Sequence, residues 1–392
     1  MRLPRDAGPG ALDRYFDWAA TSPPEEDIIA EAAEIAGRFF ANPSSAHGEG
    51  KRAREKLEEA RSRAALALGV NPGTLVFTSG GTEGDQFPFL SLLSSPAKTG
   101  RILYTELEHP AVSAMAESLG ARGWTLTKIR VNREGIVTER EVLSALTEDT
   151  RLVCVTAVSN ETGAIQPVGA IAGAITEFFG AKRRAKFHVD AVQGAGKIPL
   201  AIGTPGIDSA AFSAHKIGGP RGVGLLYLAR GADSVESLLK GGGQEGGARS
   251  GTENLAGAWA LSRCLEKFYM RIQKDTNQPE TQVFERLAQQ RAWTGEFIQA
   301  LRAIPGCTLA PPSRKDGDPA FSPWIVRAAF GDIPGGVMQR ALDGEGFAVS
   351  TGSACSSRKP ESALAPVRFS FGHGTTKQGM EALLDALRGI CL

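Results

Sequence analysis

The side chains with the most chemical reach stand just past the ends of short apolar runs. Lys216 sits in FSAHKIGGPRGVG, after the run 209–213 and before a pair of glycines. Open α/β sheets place their sites at such strand ends. A partly desolvated lysine there holds a neutral, nucleophilic amine that can condense with a carbonyl. Asp190 closes a second run in HVDAVQ. Its carboxylate either caps the following turn or faces a basic ring nitrogen. Gln193, three residues on, carries an amide able to donate to a ring oxygen. In VFTSGGTEGD a third run passes through glycines into a helical pattern. The free backbone N–H groups and dipole of such a helix start favour a phosphate, and Thr82 adds a hydroxyl unless it serves only as a cap. The spacing is neither the dinucleotide fingerprint nor a nucleotide P-loop.

Three further residues widen the chemistry. His109, in ELEHPAV, follows a fourth run and offers an imidazole that can stack on a ring and carry protons. Cys355, in FAVSTGSACSS, lies among small polar residues rather than apolar ones. That setting suits an exposed nucleophilic thiol on a movable loop better than a buried structural cysteine. Arg368, in VRFSFG, carries a guanidinium able to hold a carboxylate by two parallel hydrogen bonds. An amine, an acid for a pyridine nitrogen, a donor for a phenolic oxygen and a small phosphate site together describe pyridoxal 5′-phosphate (PLP).

Positioning these residues requires an alternating framework. Strands are predicted at 75–78, 101–105, 125–131, 152–158, 186–190, 209–213 and 223–228, with helices such as 51–68 and 167–179 between them. Several runs are continuously apolar and β-branched, as in strands buried on both faces. The pattern predicts an α/β domain with a mostly parallel seven-stranded sheet. A glycine-rich break at 241–251 precedes a long helical region from about 254 to 303. A strand near 323–330, a helix at 334–346 and a strand at 347–350 predict a smaller α+β domain. The expected division is 21–258 for the large domain. Residues 1–20 and 259–392 form the small one, which carries the cysteine loop.

Bulk properties narrow the function class. With 392 residues the chain exceeds what one hydrophobic core usually serves. Its 44 basic and 43 acidic side chains nearly cancel, which argues against nucleic acid or an anionic membrane as the main partner. No segment reads as a signal peptide or a membrane span. The five cysteines are scattered, odd in number and without metal-ligand spacing, as expected of reduced thiols in a cytoplasmic protein.

Ten blocks in order resemble the cysteine desulfurases of the class V aminotransferase group, which have the PLP type I fold. They are YFDWAATSP, ANPSSAHGEG, VFTSGGTEGD, ELEHPAV, VSNETGAIQPV, FHVDAVQGAGKIPLA, FSAHKIGGPRGVGLLYL, GGGQEGGARSGTEN, STGSACSS and VRFSFG, spanning Tyr15 to about Thr376. The S-x-G-S-A-C form resembles the subgroup with a longer cysteine loop. The resemblance implies a Schiff-base lysine at Lys216, a pyridinium partner at Asp190, a phenolic-oxygen donor at Gln193 and a ring-stacking acid–base at His109. It implies phosphate ligands at Thr82, Ser213 and His215, with Gly81 in the turn beside them. Asn160 and Arg368 are then the substrate-carboxylate residues, and Thr252 a phosphate contact given to a second subunit, hence a homodimer. Cys355 is the sulfur-accepting nucleophile. The implied reaction turns L-cysteine into L-alanine and leaves a persulfide on Cys355 for a sulfur-acceptor protein, as in iron–sulfur cluster assembly.

The chain also departs from the family pattern. The block G-G-G-H-E-R-G reads Gly241-Gly242-Gly243-Gln244-Glu245-Gly246-Gly247 here, and only twelve residues separate Cys355 from Arg368. The chain ends at Leu392, without the C-terminal extension by which resembling enzymes dock an iron–sulfur scaffold. Competing expectations are a selenocysteine lyase, another class V aminotransferase, or an inactive scaffold protein that keeps the fold.

Overall fold

The computed structural model describes residues 11–94, 99–182, 184–232, 235, 240–269, 281–352 and 366–391. It divides into two compact units. One comprises Pro23–Ser159 and Ile165–Val283; the other comprises Met1–Ser22, Asn160–Ala164 and Phe284–Leu392.

The first unit is built on a seven-stranded sheet. Its strands are β1 (Leu75–Thr78), β2 (Arg101–Thr105), β3 (Thr125–Ile129), β4 (Thr150–Thr156), β5 (Lys186–Asp190), β6 (Ser209–Ser213) and β7 (Gly224–Leu228). They lie in the order β1-β7-β6-β5-β4-β2-β3. Only β7 runs against its neighbours; the β6–β5–β4–β2–β3 ladder is parallel. The expected mostly parallel sheet is therefore present, and its central strands are apolar because helices cover both faces.

The two faces can be read residue by residue, since successive strand side chains point to opposite sides. Leu103, Val153, Val155, Phe187 and Val189 share one core with α2 (Gly48–Leu68), α6 (Val168–Phe179) and α7 (Leu255–Phe268). Ile102, Tyr104, Leu152 and Cys154 face the other way, onto α3 (Gly81–Leu93) and α4 (Pro110–Gly120). Helix α2 is stopped sharply at its C-terminus by Gly69, whose φ of 70° satisfies the last carbonyls in a conformation that other residues resist. Helix α7 packs against α2 and against α1 (Glu26–Arg38), burying Trp259, Leu261 and Leu265. This packing places α7 in the larger unit, beyond the sequence-based boundary at 258.

The smaller unit has a three-stranded antiparallel sheet in the order β10-β9-β8, with β8 at Cys307–Leu309, β9 at Ile325–Phe330 and β10 at Val367–Ser370. Helices α8 (Thr281–Arg302), α9 (Gly335–Gly344) and α10 (Lys377–Cys391) accompany it. Its core is aromatic: Phe16, Phe297, Phe369 and Phe371 meet largely edge-to-face. The long helical region expected at 254–303 is two helices, α7 and α8. The run 347–350 is not a strand. It makes single bridges, Ala348 with Tyr15 and Ser350 with Arg368, because each neighbour meets it at one residue only.

One short segment is out of its sequence context. Asn160–Ala164 lies between elements of the larger unit in sequence but belongs to the smaller unit. Buried Arg314 donates to the carbonyls of Thr162, Ser322 and Ile325, at 3.2, 3.0 and 2.6 Å. Arg327 pairs with Glu161 at 3.0 Å. The amide of Ser322 donates to the carbonyl of Gly163, whose φ of 78° suits glycine.

Candidate active site

In the larger unit, the carboxyl ends of the parallel strands gather most of the residues singled out in the sequence. Asp190 is the last residue of β5 and is 5% exposed. One carboxylate oxygen accepts the Val192 amide at 2.9 Å. Burial raises its pKa, while the nearby His109, the Val192 amide and Lys216 pull it down. Lys216 ends the 3₁₀ turn Ala214–Lys216, which follows β6 directly. Asp190, His109 and Lys216 thus lie within one another's electrostatic field, although they come from three separate segments.

His109 caps the N-terminus of α4, with Pro110 at the first helical position. Its Nδ1 accepts the Ala111 amide at 3.1 Å, which leaves Nε2 to carry the proton of the neutral ring. Burial lowers the His109 pKa, Asp190 opposes that and Lys216 adds to it. His215 is pushed down to about 4 by burial and by the charges of Lys216, Arg221 and Lys197. Both rings are therefore neutral near pH 7, able to donate through one nitrogen.

Helix α3 supplies the anion-binding end. Its N-cap is Gly80, so no side chain competes for the first amides of the helix. Gly81 is needed for closeness: a methyl group there would lie 2.7 Å from Val192 Cγ2 and 3.6 Å from Ser213 Cβ. A methyl on Gly224 would sit 2.6 Å from the Gly80 backbone, so β7 also needs glycine where the turn crosses it. Ser213, buried at the end of β6, lies beside this turn, and Thr82 is exposed on the first turn of α3. Thr252, assigned to a second subunit by resemblance, is exposed as well.

The smaller unit brings Arg368 and Asn160 together. Arg368 lies on β10 and is 1% exposed. One terminal nitrogen donates to the Asn160 carbonyl at 2.9 Å, and the other pairs with Asp17 at 2.8 Å. Its Nε is buried without a hydrogen-bond partner among the described residues. Asn160 thus meets Arg368 through its backbone. Cys355 lies outside the described residues.

Several residues at the sheet end escaped the sequence reading. Glu108, next to His109, accepts the Thr105 hydroxyl at 2.6 Å and the Thr156 amide at 2.8 Å through Oε1, while Oε2 is sealed from solvent without a partner among the described residues. Burial drives its pKa up to about 8, with the charge of Asp190 adding to the rise. His188 bridges Ser209 and Asp85 at 2.8 and 3.2 Å inside the sheet layer. Burial lowers its pKa to about 3, so the imidazole is held neutral. Lys197 and Gln193 form a buried pair at 2.8 Å. The sequence signals were slight: a glutamate beside a candidate histidine, and a lysine four residues after a candidate glutamine.

Among described residues no group of three or more His, Cys, Asp or Glu side chains could hold a metal ion. None of the described helices is long and apolar enough to cross a membrane.

The fold and these strand ends define a class of cofactor-dependent α/β enzymes, and comparison with known proteins places the chain within it. The class-V aminotransferase family matches residues 14–383. A protein of Dictyoglomus turgidum named cysteine desulfurase IscS is 32% identical over 96% of this chain and 94% of its own length. A cysteine desulfurase of a Nostoc strain is 33% identical over 95% and 91%. A solved structure described as a NifS-like protein superposes with a TM-score of 0.84 at 29% identity, covering 96% of this chain and 98% of the other. The chain belongs to the class-V aminotransferase family, among its cysteine desulfurases.

Proposed function

We propose that the protein is a PLP-dependent cysteine desulfurase that releases L-alanine from L-cysteine and takes the sulfur onto Cys355. The observation that carries this reading is the buried Asp190 carboxylate set against His109 and Lys216 at the end of a parallel sheet. A buried carboxylate with a raised pKa fits a protonated ring nitrogen, whose charge would compensate it. The glycine-started helix α3, with Ser213 beside it and the neutral donor His215, fits a phosphate. The donor set therefore suits PLP, which when bound supplies an electron sink for the carbon skeleton of an amino acid.

In this reading Lys216 carries the cofactor as a Schiff base, Asp190 holds its ring nitrogen, and Gln193 donates to its phenolic oxygen. His109 presents a neutral Nε2–H and moves protons together with Lys216. Thr82, Ser213 and His215 bind the phosphate, with Gly81 permitting the close approach. Arg368 holds the substrate carboxylate, and Asn160 assists. Thr252 completes the phosphate site of a second subunit in a homodimer. The Cys355 thiolate attacks the substrate sulfur as the substrate's Cβ–S bond breaks. The S–S bond formed is a persulfide for an acceptor protein. The electron pair of the broken bond stays on the carbon skeleton, which takes up protons and leaves as L-alanine. A reducing, cytoplasmic location suits a working thiol. The domain division proposed keeps α7 with the larger unit, a reading supported by its packing against α1 and α2.

The test is L-alanine release from L-cysteine by the PLP-loaded protein, alongside Cys355→Ala and Lys216→Ala. Activity lost in both variants supports the reading. No alanine from the unaltered protein would overturn it. Activity on L-selenocysteine that survives Cys355→Ala would redirect it to selenocysteine lysis.

A further inference from the structure

We infer that Lys197 is a positioning residue that fixes which end of the Gln193 amide is presented to the cofactor. This deepens the proposed PLP reading and rests on it. Gln193 and Lys197 lie four residues apart in the helical turns after β5, where Ala195 and Ile198 donate to the carbonyls of Ala191 and Gly194. That spacing stacks the two side chains on one side. Both are buried, at 5% and 4% exposure, so water does not satisfy them instead.

The pairing has one chemically allowed sense. Lys197 Nζ lies 2.8 Å from Gln193 Oε1. An ammonium has three N–H donors and no acceptor, so the amide atom facing it must be the oxygen. A flipped amide would set N–H against N–H, with a buried ammonium left short of an acceptor. With the oxygen committed to Lys197, the amide directs its NH₂ elsewhere. Gln193 is thereby held as a donor, the role a phenolate oxygen requires. The ammonium also polarises the amide through the shared bond and strengthens that donor. The Lys197 charge also reaches His215, the neighbour of Lys216, so the pair lies within the field of the same site.

A donor to the phenolate oxygen makes that oxygen less basic and weakens its hold on the neighbouring imine proton. Losing the donor should raise the pH at which the Lys216-bound cofactor loses this proton. The change is read as the midpoint of its visible absorption band. Other titratable groups facing Lys216 are Asp190, His109 and His215, with the charges of Arg221 and Lys197 acting on His215. They stay in place in the variants below, apart from Lys197 itself.

The experiment titrates the visible band of the PLP-loaded protein for the unaltered chain, Lys197→Met, Lys197→Arg, Gln193→Ala and the Gln193→Ala/Lys197→Met double variant. Lys197→Met and Gln193→Ala should each raise the midpoint by about one unit, a tenfold change in acidity. The double variant should exceed the larger single shift only slightly, because the two residues act as one device. Lys197→Arg, still a donor, should stay near the unaltered value. Full additivity in the double variant would mean that Lys197 acts by charge alone and would overturn the inference, as would an unshifted Lys197→Met. If the methionine variant does not fold, Lys197→Gln is read by the same criteria. A missing band in the unaltered protein would instead remove the PLP reading and this inference together.

Discussion

The sheet end of the larger unit and the core of the smaller one treat buried charge in opposite ways. At the sheet end of the larger unit, Asp190 and Glu108 are enclosed with incomplete compensation, and Glu108 Oε2 meets no hydrogen-bond partner among the described residues. In the smaller unit, the buried cations meet acceptors through both terminal nitrogens, although Nε of Arg314 and of Arg368 has no partner among the described residues. Arg314 takes three backbone carbonyls and Arg368 takes Asp17 and the Asn160 carbonyl. Burial still lowers the Arg314 pKa to about 9, since carbonyls are partial charges only. The contrast separates two tasks. An undercompensated carboxylate is held ready for an incoming cation, whereas an arginine engaged through both terminal nitrogens holds backbone in place.

The comparison can be broken at its strongest point with Asp190→Asn. The amide keeps the shape but loses the charge that would hold a ring nitrogen protonated. We expect kcat/KM to fall about 10²–10³-fold with little loss of thermal stability. A variant that unfolds instead would mark Asp190 as structural. On the other side of the comparison, Arg314→Met leaves the carbonyls of Thr162, Ser322 and Ile325 without this donor. A stability loss of about 3 kcal/mol should appear in denaturant titrations. Retained stability would show that the arginine does not secure Asn160–Ala164.

Arg368→Ala sharpens the distinction within the smaller unit. A residue that holds the substrate carboxylate should raise KM about 10–100-fold while kcat changes less. Equal loss in kcat with KM unchanged would argue against that role. The smallest effect is one of slope. The Glu108 pKa is raised from 4.5 to about 8 in the folded chain. Between those values the folded state binds a proton that the unfolded state has lost, so stability falls as pH rises through the window. The slope is at most about 1.4 kcal/mol per pH unit. Glu108→Gln, measured without cofactor by melting at pH 5 and pH 8, should flatten this fall. An unchanged slope would mean that Glu108 is ionised in the native protein.

Much of the fold was legible because the central strands are unbroken apolar runs bounded by glycine and polar residues. The strands at 75–78, 101–105, 186–190 and 209–213 have the expected limits. The run 347–350 failed because a strand needs a neighbour along its length, which short-range pattern does not reveal. The cysteine loop was read from composition and from the resemblance of its S-x-G-S-A-C motif, and its residues from 353 to 365 lie outside the described part.

By itself the sequence determined the residue types at the strand ends: Lys216 after β6, Asp190 closing β5, His109 before α4 and the glycines opening α3. Periodicity and punctuation encode these positions locally. Only the tertiary structure decided their electrostatic state. It enclosed Glu108, neutralised His188 between Asp85 and Ser209, turned the Gln193 amide against Lys197 and bound Asn160–Ala164 to Arg314. Desolvation and charge proximity depend on distances between segments far apart in the chain, and no local pattern carries that information.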